Sequence, residues 1–449
     1  MLIKPIQFYS NLIFISITVF THSQSFDIYN EKLLLKDFNY NLKENKKTTS
    51  FYNYAKTSKI ENLVNELLDP IIKLHSSEKL KLSFDILENA FLEIEATSYA
   101  YTFIHCNSDW ERSNITQSEY LEGFFDNYIN DYHFSFNTLS SYVHYECIFP
   151  NENINFKKSG NYIILVYDTE KNIPVLTKKF IIYENLLEIS IDVKRATLSK
   201  DLDLKHEIDF YIREYDDLNI VDVNNELKII IQKNDDWNDI IQNCTPNFIS
   251  KEVLEYDYQG ELSFLAGNEY RDFDIKSLRY YGKNIKSINQ QFIQANNFYY
   301  VDLQTDKINT SKYYKFKYDL NGKYIISISE NKDKNTEADY ALVKFVLESD
   351  YIEQYSIYIY GELTNWDILP SAKMNYDKTE NQYYGFLYLK QGYYNYQYII
   401  QDKNKNIKLI EGDYQETRNE YSIYIYHTPP WSDYDRLVGI AKSTSNALN

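Results

Sequence analysis

The strongest constraint on this chain is a period of two. From residue 78 onward, apolar residues, most of them aromatic or β-branched, recur at every second position, as in Leu80-Leu82-Phe84-Ile86, Tyr99-Tyr101-Phe103, Tyr162-Ile164-Val166 and Leu187-Ile189-Ile191-Val193. Such alternation places one set of side chains on one face of an extended strand and their polar neighbours on the other. The runs are bounded by Ser, Asn, Gly and Pro, which predicts half-buried antiparallel strands. With 44% hydrophobic and 25% charged residues the composition is that of a globular protein rather than a disordered one. At 449 residues the chain exceeds one ordinary core, and a prior of roughly 150 residues per domain predicts about three. The fold class expected is all-β, a series of consecutive immunoglobulin-like or early-set β-sandwiches.

The organisation follows from where the pattern starts and stops. Residues 1–23 carry Lys4 as their only charge, an apolar run from Leu12 to Phe20 and a small-residue end at Thr21-His22-Ser23, and they read as a secretory signal peptide. A membrane anchor is the weaker reading, because the run is shorter than the ~20 apolar residues of a spanning helix. No membrane span is expected after signal cleavage. Residues 24–77 read as a lead-in, in which Ile60 to Leu68 has helix-like spacing and is taken as a loose strand or helix. A first β-sandwich is expected over 78–184, a second β domain over 185–335, an early-set-like sandwich over 336–428, and a C-terminal tail over 429–449 after Pro429-Pro430. Asn321-Gly322, between the alternating flanks 314–320 and 323–329, predicts a type I′ hairpin.

Charge and motifs narrow the function. A net charge of −18 with no basic patch excludes a sequence-independent grip on nucleic acid. His206-Glu207 begins like a zinc-protease pair, but Phe210 stands where the second histidine is needed. There is no Gly-x-Ser-x-Gly elbow and no Gly-x-Gly-x-x-Gly loop, and Gly282-Lys283 and Gly322-Lys323 lack the upstream glycine of a phosphate loop. His105, Cys106, His133 and His144 match no zinc spacing. No catalytic residue, cofactor or metal ligand is therefore expected. Cys106, Cys147 and Cys244 allow at most one bridge; Cys106 with Cys147 is the pair a sheet could bring together, and buried free thiols are the other reading.

One stretch departs from the pattern. Asn107 to Ser140 spans 34 positions between two strands, and loops beyond ~12–15 residues are uncommon unless functional. Aromatic and polar residues are mixed throughout it. It reads either as a loop folded back onto its own sandwich by Trp110 and the phenylalanines, or as a protein-binding loop. In the second reading the candidate contacts are Asn107, Asp109, Trp110, Arg112, Ser113, Tyr120, Phe124 and Asn137, since Trp, Tyr and Arg anchor interfaces.

In this loop the chain resembles the plug protein family of the type IX secretion system, a periplasmic family of Bacteroidota. The resemblance is carried by Ile104-His105-Cys106-Asn107 with Asp109-Trp110 and Ser113, by Glu119-Tyr120-Leu121 with Gly123-Phe124, by Ser135-Phe136-Asn137-Thr138, and by Ser159-Gly160-Asn161-Tyr162. It resumes at Ala338-Asp339-Tyr340, Asn365-Trp366, Gln391-Gly392-Tyr393 and Tyr434-Asp435-Arg436-Leu437. Arg112, Lys178-Lys179 and Thr428 depart from it, where the family tends to have Pro, Arg-Arg and a basic residue. The resemblance implies a non-enzymatic subunit in the periplasm, peripherally associated with the outer membrane. Its implied partner is a very large outer-membrane β-barrel translocon, whose periplasmic mouth it occludes. A second resemblance points elsewhere. Tyr360-Gly361-Glu362-Leu363-Thr364-Asn365-Trp366, followed by Tyr393 to Tyr398, is similar to the early-set sandwich of glycogen-binding modules. The alternative function is thus a carbohydrate-binding β-sandwich protein of the periplasm or cell surface, with Trp366 as candidate sugar-binding residue; the competing reading of Trp366 is a ring that fills the sandwich core.

Overall fold

A computed structural model describes residues 55–87, 96–213, 215, 218–293, 296–309, 311, 313–330, 332–404 and 406–445. The signal peptide expected over 1–23 and most of the lead-in lie outside the described residues. The first body is a two-sheet sandwich. Its strands in chain order are β1 (Lys56–Asn62), β2 (Ile71–Lys73), β3 (Leu80–Leu87), β4 (Tyr99–Cys106), β5 (Leu121–Gly123), β6 (Asn127–Tyr128), β7 (Asp131–Phe134), β8 (Tyr142–Phe149), β9 (Ile154–Phe156), β10 (Gly160–Asp168) and β11 (Ile173–Tyr183), with a single helical turn α1 (Gln117–Tyr120) before β5. One sheet runs β1-β3-β8-β7 and the other β2-β11-β10-β4-β6. The period of two does what it implies: Leu80, Leu82 and Phe84 point inward and pack with Tyr101, Phe103, Tyr145 and Tyr162. The lead-in is corrected here. Residues 56–62 are neither a helix nor loose, because β1 pairs antiparallel with β3 and places Ile60 opposite Leu82, and β2 pairs parallel with β11.

The second body begins with β12 (Glu188–Arg195), β13 (Lys205–Arg213), a short helix α2 (Val223–Glu226), β14 (Leu227–Lys233), β15 (Asp236–Gln242), β16 (Phe248–Ile249), β17 (Val253–Tyr256) and β18 (Ser263–Leu265). The chain then leaves it for a third body, made of β19 (Arg271–Asp274), β20 (Ile285–Ile293), β21 (Asn296–Leu303), β22 (Asp306–Lys307), β23 (Tyr324–Ile326), β24 (Tyr340–Glu348), β25 (Ser356–Tyr360), β26 (Asn375–Asp377), β27 (Gln382–Lys390), β28 (Gly392–Gln401) and β29 (Ile407–Leu409). It returns with β30 (Glu420–His427) and β31 (Arg436–Thr444), which complete the second body in the order β15-β14-β30-β31.

This return corrects the expected boundaries 185–335, 336–428 and 429–449. The third body is an insertion within the second, and residues 436–444 are a core strand rather than a tail. Pro429-Pro430 does end one strand, but Leu437 and Val438 then re-enter the core fully buried. The Asn321-Gly322 turn is present, with φ of 50° and 83° and a 3.1 Å bond from the Lys323 N–H to the Leu320 carbonyl. Its expected hairpin is not: β23 pairs with β28, and the preceding flank is held by side chains, Asp319 accepting the Tyr270 N–H at 2.5 Å and Asn395 accepting from the Leu320 N–H.

The first two bodies are stacked sheet on sheet. The outer face of β4, β10 and β11 meets the outer face of β14, β30 and β31 through Ile163, Ile181, Ile230, Tyr424, Tyr426 and Leu437. That burial on both faces explains why β10 and β30 read as continuous apolar runs, as doubly covered strands do. Cys106, Cys147 and Cys244 are all free thiols, which settles the cysteine alternatives. Cys106 faces the second body whereas Cys147 packs against the first sandwich's core. Burial pushes the Cys106 thiol up to about 12.

Candidate functional site

The long loop divides into two halves with opposite environments. After β4 the chain turns tightly, the Trp110 N–H donating to the Asn107 carbonyl at 2.9 Å. Trp110 adopts φ of 63°, a conformation bulky residues avoid unless packing holds them. Packing does: its ring is edge-on to Trp237 of the second body at 5.0 Å, lies beneath the Lys179 ammonium at 4.7 Å, and is 8% exposed. Asp435, on the turn before β31, fastens the same segment. Its carboxylate accepts from the Ser108 N–H at 2.9 Å, the Ser108 hydroxyl at 2.6 Å, Lys228 at 2.8 Å and the Thr428 hydroxyl at 2.6 Å. Its own N–H donates to Asn107 Oδ1 at 3.1 Å. Burial alone would raise the Asp435 carboxyl, but the bonds from Lys228, Ser108 and Thr428 hold it below its ordinary value.

The rest of this half bonds mainly within the first sandwich. Asp109 accepts the Glu111 N–H at 2.9 Å and so shapes the turn. Arg112 forms a backbone bridge to Cys106. The Ser113 hydroxyl meets His105 Nδ1 at 2.8 Å, and His105 Nε2 meets the Ser159 carbonyl at 3.0 Å. A carbonyl only accepts, so Nε2 carries the proton. Burial pushes His105 down to about 4, so it is neutral near pH 7. Thr116 and Glu119 form a capping box on α1, which aims Tyr120 inward to donate to the Phe103 carbonyl at 2.9 Å.

The second half begins at Gly123, where φ is 104° and a Cβ would lie 2.0 Å from the Asn153 carbonyl oxygen. Beyond it the aromatic residues face out: Phe124, Phe125, Tyr128, Tyr132, Phe134 and Phe136 are 66, 39, 64, 42, 43 and 71% exposed. This segment crosses from the edge of one sheet to the edge of the other, since β6 pairs with β4 and β7 pairs with β8. The Ser135 N–H donates to the Tyr142 carbonyl at 2.8 Å. Backbone groups alternate sides along a strand, so those of Asp131 and His133 face β8 and those of Tyr132 and Phe134 face away from it. One residue on, the Phe136 N–H donates to the Thr336 carbonyl at 2.9 Å. The loop then ends against the third body, where Asp339 accepts the Leu139 and Ser140 N–H groups at 2.5 and 3.1 Å.

Of the eight sequence candidates, Trp110, Ser113 and Tyr120 are buried and Asn107 and Arg112 are half-buried, while Asp109, Phe124 and Asn137 are exposed. The two large rings expected to anchor a partner are thus already used inside the molecule. Sequence reasoning missed Phe125, Tyr128, Tyr132, Phe134 and Phe136. A usable signal was present, since residues 113–156 contain six carboxylates and no Lys or Arg. Trp366 is half-buried, edge-on to Tyr360 at 5.7 Å and at 6.2 Å from Tyr270, both of them buried. Asn238 of the second body donates to its carbonyl at 2.6 Å, and Lys178 of the first reaches the adjacent Asn365. Trp366 is therefore part of a joint between bodies, without the exposed neighbouring ring that stacking on a sugar requires.

Two further charge clusters also join bodies. Asp85 of β3 meets His144 Nδ1 at 2.6 Å, Lys390 of the third body at 2.6 Å and the Tyr340 hydroxyl at 2.7 Å. Burial would raise the Asp85 carboxyl, but Lys390 and His144 hold it below its ordinary value. Asp69, Asp235 and Glu420 place carboxylate oxygens within 4.8 Å of one another, close enough for a cation. Two lysines serve instead: Lys323 lies 2.7 Å from Asp69 and 2.5 Å from Asp235, and Lys442 contacts Asp69 and, at 3.3 Å, Glu420.

The family model described as the type 9 secretion system plug protein first domain matches residues 47–184, the span of the first sandwich. Among solved structures, a hypothetical protein from Parabacteroides merdae is 32% identical with a TM-score of 0.82, over 88% of this chain and 100% of that chain. The C-terminal domain of the Streptococcus agalactiae AgI/II polypeptide BspA aligns over 86% of this chain and 97% of that one, but at 8% identity and a TM-score of 0.13 it carries no information on this fold. No curated protein matches the chain. With its first sandwich matching that family model and a 32% identical structure sharing nearly its whole length, the chain belongs to the type IX secretion system plug protein family and has a type IX secretion-associated role.

Proposed function

We propose that the chain is the non-enzymatic subunit that binds the outer-membrane β-barrel translocon of the type IX system and occludes its periplasmic mouth. The observation that supports this reading most is that the family match falls on the sandwich carrying the exposed aromatic segment 124–136. An occluding subunit must also hold its shape, and the three bodies are fastened at Asp435, at Asp85 with Lys390, and at Asp69 with Lys323. Histidines that might do chemistry are committed internally: His105 to Ser113 and Ser159, His206 to Tyr421 and Gln415, His427 to Glu226. Such a subunit works from the periplasm, peripherally associated with the outer membrane; among the described residues no helix is long and apolar enough to cross a membrane. The test is affinity purification of the tagged protein from native outer membranes. Co-purification of the large translocon barrel is expected, and a preparation in which that barrel is absent while the tagged protein is intact would refute the role.

A further inference from the structure

We infer that the open edge of β7 is the docking surface, and that its occupant is an extended segment of the translocon polypeptide bearing Lys or Arg beside apolar residues, an assignment that rests on the occluding role proposed above. Three features of segment 122–136 converge on it.

The first is the backbone. Tyr132 and Phe134 direct their N–H and carbonyl groups away from β8, and among the described residues no backbone group bonds them; an edge strand of this kind is a template for strand addition. The same side of the strand already accepts a backbone partner one step further on, where Phe136 bonds Thr336. Proteins usually blunt such edges with Lys or Pro; residues 113–149 contain neither. The second feature is the side chains. Six large aromatic residues between Phe124 and Phe136 are exposed, an apolar density that marks interaction surfaces when it occurs on a folded protein. The third is charge. Among the described residues Glu122, Asp126 and Glu152 make no ion pair, and Asp131 meets only His133, at 3.1 Å. A partner complementary to this surface is therefore basic as well as apolar. A second copy of the chain would set these carboxylates against one another.

The experiment measures binding of purified translocon barrel to the immobilised full-length protein. Phe134→Pro removes an outward donor while leaving the β8 ladder intact, a place where edge strands tolerate proline, and Phe134→Ala removes the ring alone. Glu122→Lys/Asp126→Lys reverses charge at two exposed positions, so it decides the question even if the proline variant unfolds. Wild-type protein should bind, Phe134→Pro and the double lysine variant should weaken binding about tenfold or more, and Phe134→Ala should weaken it less. Wild-type binding that the double lysine variant retains, and that Phe134→Pro also retains where it folds, would overturn the assignment and leave the occluding role standing. Absence of wild-type binding would remove the role itself, and the assignment with it. A dimer of the chain that Phe134→Pro dissociates would show the occupant to be a second copy and overturn the translocon segment.

Discussion

Residues 107–123 and 124–136 belong to one loop, yet the first stretch, with Trp110 and Tyr120 packed inward, is structural, and the second, with six large aromatic residues, faces solvent. The difference lies in what each meets. The first lies between two sandwiches, where Trp110 finds Trp237 and Lys179, and Ser108 finds Asp435. The second runs along the edges of two sheets, where no further sheet among the described residues covers it. An aromatic residue in a long loop is thus an anchor inward or outward according to the sheets beside it, and its type alone does not say which.

Substitutions should separate the halves. Trp110→Ala is expected to cost the most, about 3–5 kcal/mol of stability, because it empties a packed joint; chemical denaturation would measure it, and a loss under 1 kcal/mol would place the ring outside the core. Asp435→Ala should cost about 2–3 kcal/mol, since it strips charged hydrogen bonds from Ser108 and Thr428, and should loosen residues 107–113 in hydrogen exchange. Tyr120→Phe should cost about 1 kcal/mol, the net worth of its bond to the Phe103 carbonyl.

A subtler effect lies where the outward half is moored to the third body. Burial would lower His144, but its hydrogen bond to Asp85 and the Glu146 carboxylate 3.6 Å from its Nε2 raise it above its ordinary value. A raised histidine contributes stability that is complete below its unfolded value and is lost as pH rises through the folded value. The stability gap between wild type and His144→Gln should therefore narrow with increasing pH, as melting temperatures would record; a widening gap would contradict the assignment. Smallest of all, Phe124→Ser and Phe136→Ser should change stability by no more than about 0.5 kcal/mol, while translocon capture falls.

Much of this was legible in sequence, and for a definite reason. Alternation fixes which side of a strand is buried, so Leu80-Leu82-Phe84 and Leu187-Ile189-Ile191 could be read directly. Partners could not. Nothing local to Glu420–His427 says that it pairs with β14 in a body begun at Glu188, and nothing near Asn321-Gly322 says that Tyr324 pairs with Tyr394 rather than with the preceding flank. Pairing over such separations is decided by packing of whole sheets. For the same reason the loop's unusual length was visible, while the division into inward and outward halves was not.

The most direct measurement is amide hydrogen exchange at Tyr132 and Phe134, in the free protein and bound to the translocon barrel. If an extended segment adds to β7, both amides exchange rapidly when free and become strongly protected when bound, with Asp131 and His133 changing little. A stable complex in which Tyr132 and Phe134 exchange as fast as in the free protein would contradict docking at this edge.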